Sequence, residues 1–151
     1  MGVDLDTFDD HLRAAQRAEH DDTPSIALDH YQAAAAMYRG ELYADLPRAE
    51  WFDGERERYR LRFVDAAVRA AHLLIAIGRL DEGERLAERT LSEDPWSEPA
   101  SGVLVSVALG RGDRSGAWRQ LQRSLQIVAD LGAEPSEETI RLQRELRGRT
   151  A

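Results

Sequence analysis

The chain has 151 residues, 42% hydrophobic and 32% charged, a composition that suits one globular domain, residues 1–151, and is too apolar for a disordered chain. Acids outnumber bases 28 to 20 for a net charge of −8, which argues against direct nucleic-acid binding by this chain alone, because a basic surface supplies most non-specific affinity. The absence of cysteine excludes disulfides and thiol chemistry, no apolar run reaches the ~18 residues of a membrane span, and the acidic start MGVDLDTFDD is unlike a secretion signal, so the expected location is cytoplasmic.

The first predicted helix covers residues 6–20, with Leu5, Phe8, Leu12, Ala15 and Ala18 three or four apart on one apolar face. Asp4, Asp6, Asp9 and Asp10 crowd its start. Their spacing fits no calcium loop and lacks the turn glycine, so they are read as favourable partners of the helix dipole. After HDDTP, Thr23 is expected to cap a second helix that opens on Pro24 and runs to Arg39, with Gly40 ending it. The segment GELYADLPRAEW is too apolar for a free linker and is expected to fold back over the first two helices.

A long third helix, residues 49–77, carries two apolar rows. One holds Phe52, Tyr59, Phe63, Ala67, Ala70, Leu74 and Ile77; beside it run Leu61, Val64, Val68, Ala71 and Ile75. Two rows imply burial on two sides. Its early part, GERERYRLR, reads as a solvated, salt-bridged face rather than an anion-binding patch, since Glu55 and Glu57 interleave the arginines. Helix four covers residues 81–92. Ser97 is the expected cap of helix five, with Pro99 early in it and an apolar run to Leu109. Helix six runs from Asp113 to Leu131, with Gly132 just past its end, and Ser136 caps helix seven, residues 137–147.

The stretch GRLDEGERLAERTLSEDP sets the organisation. Its Gly78, Gly83, Ala87 and Leu91 recur 34 residues later as Gly112, Ala117, Leu121 and Leu125, the period of the tetratricopeptide repeat. A third copy, Ala27 to Tyr31, lies 56 residues before the central one, so an insertion separates them. The fold class expected is all-α: a right-handed α-solenoid of about seven helices built from tetratricopeptide-like pairs.

Chemistry-bearing motifs are lacking. His11, His20, His30 and His72 stand apart in sequence, and no metal motif, phosphate loop or nucleophile elbow occurs, so neither enzyme activity nor a metal or cofactor is expected. What remains is the concave wall of stacked helix pairs. By repeat register Asp9, Gln16, Glu19, Asp65, His72 and Ser106 would face it, an acidic set suited to a partner carrying arginines or lysines. Trp51 and Trp118 are expected in the core; Trp96, between two prolines, is the candidate exposed contact.

The succession LDTFDDHLRAAQRAE, then YRGELYADL ahead of Trp51, then LLIAIGRLDEGERLAERTLSEDPWSEPA, then LGAEPSEETIRLQREL resembles the bacterial transcriptional activator domain of the Streptomyces antibiotic regulatory protein family over nearly the whole chain. The resemblance implies a tetratricopeptide-like module that usually follows a winged-helix DNA-binding domain, which this chain is expected to lack. It also implies protein partners: a second copy in a homodimer, other domains of the parent regulator, and RNA polymerase. A free-standing adaptor that binds a peptide or protein outside transcription is the alternative, and a small-molecule sensor is a third, less favoured for want of a convergent polar set.

Overall fold

In the computed structural model, residues 3–38 and 53–148 are described. They form seven helices and no strand: α1 (Val3–His20), α2 (Pro24–Met37), α3 (Asp53–Ala76), α4 (Leu80–Glu93), α5 (Glu98–Gly110), α6 (Arg114–Asp130) and α7 (Glu137–Gly148). The architecture is all-α with tetratricopeptide-like helix pairs, as the repeat implies. Contacts cluster in two compact units, Met1–Leu73 and Leu74–Ala151. The insertion and Trp51 lie outside the described residues.

The connections between paired helices share one geometry. At the ends of α1, α3, α5 and α6 a residue adopts positive φ: Asp22 (56°), Gly78 (82°), Gly112 (77°) and Gly132 (70°). The next amide donates five residues back, from Thr23 to Ala18, Arg79 to Leu74, Asp113 to Ala108 and Ala133 to Val128, at 2.8–3.1 Å. This is the Schellman closure, which satisfies the last carbonyls of a helix while reversing the chain. Gly78 and Gly112 are one repeat apart, and Asp22 precedes Gly78 by the same 56 residues that separate Ala27 from Gly83. The first copy thus uses an aspartate where the others use glycine. Asp tolerates this conformation better than most residues.

The helix that follows each reversal is started in different ways. Ser97 accepts from the Ala100 amide at 3.2 Å and Ser136 from Thr139 at 3.2 Å, so these two expected caps form, and Asp113, expected as the first residue of its helix, caps it by accepting from the Gly116 amide at 2.9 Å. Thr23 does not cap α2. Its hydroxyl instead donates back to the Ala18 carbonyl at 2.9 Å, because the same residue already closes α1.

Repeat positions are core positions. Gly83, Ala87, Ala117 and Leu121 are buried, and Leu91 and Leu125 half-buried. In the first unit Ala27 and Tyr31 are fully buried. Small residues at 27, 83 and 117 leave room for close helix approach. In the second unit Val105, Ala117, Leu121, Leu142 and Leu146 form one apolar cluster from α5, α6 and α7. Gly110 shows how tight the α4–α5 contact is: a Cβ there would lie 3.2 Å from Leu80 Cδ1. The GAEPS turn is anchored from α5, where Glu98 accepts from the Ser136 amide at 2.7 Å and from the Thr139 hydroxyl.

Both apolar rows of α3 are buried between Phe63 and Leu74, with Tyr38 stacked on Phe63 at 4.4 Å between ring centroids. Two members depart from expectation. Leu61 is 51% exposed, and Ile77 is 59% exposed because it falls in the turn after α3 ends.

Substituting Gly78 by Ala should destabilise the protein by ~1 kcal/mol from backbone strain alone, since no atom lies within 4 Å of the added Cβ. Asp22→Gly should act in the opposite direction, by a few tenths of a kcal/mol. Urea unfolding followed by circular dichroism measures both; equal signs would show that the two turns do not carry the same constraint.

Candidate interaction surface

In the first unit, α1 and α3 enclose an open cleft of about 410 Å³. Asp9, Gln16 and Asp65, three of the residues placed on the concave wall by register, line it together with Leu12, Arg13, Arg58, Leu61 and Arg62. Helical geometry accounts for this: residues 9, 12, 13 and 16 of α1 and 58, 61, 62 and 65 of α3 repeat the three-and-four spacing that puts side chains on one face.

The charge of this cleft differs from the acidic wall expected. Three guanidiniums stand against two carboxylates, and Asp9 is held by Arg62 at 2.6 Å. Arg62 and Arg58 lie 5.3 and 5.7 Å from the centre of the Tyr59 ring, a cation–π arrangement that orders both side chains. Register identified the carboxylates but not the opposing arginines, because pairing across elements is a tertiary property. Within α3, Arg60 bonds Glu57 at 2.9 Å and holds that carboxyl below the ordinary range, as the salt-bridged reading of GERERYRLR implies.

Next to the cleft runs a network that spans three helices. Arg69 binds Asp65 at 3.1 Å and Glu19 at 3.3 Å, and Glu19 accepts from the Tyr31 hydroxyl. Burial, then the bond to Glu19, pushes the Tyr31 phenol well above its ordinary value. Exposed ion pairs of this kind contribute only ~0.2–1 kcal/mol each, so their main consequence is to neutralise and orient the carboxylates. His72 is exposed on α3, two turns beyond Asp65.

His11 and His30, apart in sequence, are brought together by the α1–α2 contact, their Nδ1 atoms 2.9 Å apart. One of these nitrogens must donate and the other accept, so the two rings play opposite roles in the contact. Among the described residues no group of three or more His, Cys, Asp or Glu could hold a metal ion, and no helix is long and apolar enough to cross a membrane.

The remaining predicted residues belong to the second unit. Trp96 is 65% exposed in the turn between α4 and α5, its amide held by Asp94 at 3.2 Å. Ser106 is half-buried on α5. Trp118, expected in the core, is exposed instead. The buried face of α6 runs through Ala117, Leu121, Ser124 and Val128, and Trp118 sits one residue, hence ~100°, off that line.

The family model described as bacterial transcriptional activator domain matches residues 3–147 of the chain. No curated protein matches it.

The raised Tyr31 pKa has a pH signature. The folded state favours the neutral phenol, so this contribution to stability is full below the ordinary value of 10.0 and declines as pH rises from there. An ultraviolet titration of the folded protein should show Tyr31 remaining un-ionised at pH 10. Tyr31→Phe should remove the Tyr31 part of the alkaline decline and lower stability near neutrality by about 1 kcal/mol.

Proposed function

We propose, from the premise that this chain belongs to the bacterial transcriptional activator domain family, that it serves a transcriptional regulator as the part that engages other proteins and self-associates. The family match over residues 3–147 carries this reading. Its partners are a second copy of the chain, other domains of the parent regulator, and RNA polymerase. It acts in the cytoplasm, without enzymatic chemistry or a cofactor, and DNA recognition belongs to a separate winged-helix domain, as in regulators of the Streptomyces antibiotic regulatory protein type.

Two surfaces are assigned to these contacts. On the first unit the assigned residues are Asp9, Gln16 and Asp65, which line the cleft with exposed Leu61, Glu19, which is joined to Asp65 through Arg69, and exposed His72 two turns further along α3. The mixed charge there favours a partner surface carrying both signs, in which an incoming acid or base displaces an existing pair. On the second unit, Trp96 is a large, exposed aromatic on a held turn, with the area and rigidity typical of a binding hot spot. Ser106 lies on α5 of the same unit and contributes a hydroxyl.

Light scattering across a concentration series, with pull-down of purified RNA polymerase, tests the proposal. Association with a second copy or with the polymerase is expected, and Trp96→Ala should weaken it by about thirtyfold while leaving helicity intact. A strict monomer at high concentration that does not bind polymerase would overturn it. Capture of one partner unrelated to transcription, lost on changing Asp65 and His72, would establish the adaptor reading in its place.

A further inference from the structure

The second unit contains a cleft unlike the rest of this acidic chain. It has a volume of about 610 Å³ and is lined by Arg114, Ser115, Trp118 and Arg119 of α6 and by Leu146 and Arg147 of α7. Three arginines line it and, among the described residues, no carboxylate does, in a protein of net charge −8. Trp118, which leaves the buried face of its helix, presents its indole to this space.

The cleft is partly organised in advance. Arg114 donates one guanidinium nitrogen to the Leu146 carbonyl at 2.5 Å, which fixes its side chain across the α6–α7 contact. Its other terminal nitrogen, Nη1, is buried with no hydrogen-bond acceptor among the described residues. A half-buried cation with an unmet donor is unfavourable by itself, and an anion seated against the same guanidinium offsets that charge. Arg119 is exposed on the adjacent turn and is in no ion pair among the described residues.

We infer that this cleft binds a small phosphate-bearing ligand with a flat ring, of the nucleotide class. Planar guanidiniums match phosphate oxygens in paired hydrogen bonds, and an indole face stacks on a flat heterocycle. The volume lies in the range of small-molecule sites, ~300–1,000 Å³. The Ser115 hydroxyl adds a neutral donor beside the phosphate position. The two halves of the ligand are recognised by different side chains, so they are separable by experiment. This inference is independent of the protein contacts proposed above, since it concerns α6 and α7 and is read out by small-molecule binding.

Isothermal calorimetry with ADP as the probe tests it, with inorganic pyrophosphate, adenosine and a polyglutamate peptide as comparators. ADP should bind saturably, pyrophosphate and adenosine each about tenfold or more weaker, and added salt should weaken ADP binding. Arg119→Gln should weaken ADP and pyrophosphate by about tenfold, and Trp118→Leu should weaken ADP while sparing pyrophosphate. Both substitutions are at exposed positions, and circular dichroism checks that helicity is kept. No saturable ADP binding up to about 1 mM, indifference to both substitutions, or tighter binding of polyglutamate than of ADP would each overturn the inference.

Discussion

The structure depends on a left-handed residue at the end of a helix. Each of these reversals needs one residue at positive φ, followed by an amide that reaches back to the carbonyl five residues earlier. Without that closure the last carbonyls of α1, α3, α5 and α6 would lack partners and the chain would not turn at a fixed residue. Because the turn is fixed, the first residues of the next helix are fixed too. Small positions such as Ala27, Gly83 and Ala117 therefore fall on the buried sides of their helices, together with the apolar residues beside them. The conformational demand of a few backbone angles thereby organises the larger hydrophobic term.

Charge plays a different part. The exposed arginines and acids of α1 and α3 are bound to one another, Asp9 to Arg62 and Asp65 to Arg69, with Glu19 shared between Arg69 and Tyr31. In the second unit Arg111 holds Asp81 at 2.5 Å and Glu84 at 2.8 Å across the α4–α5 pair. Such pairs add little stability at a wet surface, yet they decide which charges are left to meet a partner. A chain with eight excess acids consequently displays a cleft of mixed sign on its first unit and, on its second, a cleft whose charged residues, among those described, are all arginines. Net charge describes the whole chain and not any one face of it.

Two of the buried polar residues, Ser97 and Thr139, serve helix starts, and a third, Thr90, bonds within its own helix. Thr90 returns its hydroxyl to the Leu86 carbonyl at 2.7 Å, Ser97 caps α5, and Thr139 is tied with Ser136 to Glu98. The GAEPS turn, part of the family resemblance, thus has a physical partner in α5, which explains why an acid stands at the first position of that helix. Membership of the bacterial transcriptional activator domain family and the all-helical architecture agree at this level of detail.

By itself the sequence determined the helices, most of their caps, the 34-residue register and the family, because each rests on local periodicity or on residues a few positions apart. The left-handed role of Gly78 and Gly112 was legible for the same reason: glycine at a repeat boundary is a local signal. Only the tertiary structure decided which charges are neutralised, that His11 meets His30, that Thr23 serves the helix before it, and that Trp118 turns to a cation-lined cleft. Those outcomes depend on which side chains meet in three dimensions, as His11 and His30 do across 19 positions, on which of two adjacent helices a hydroxyl serves, or on a rotation of one residue around a helix axis, and hydropathy patterning carries none of these.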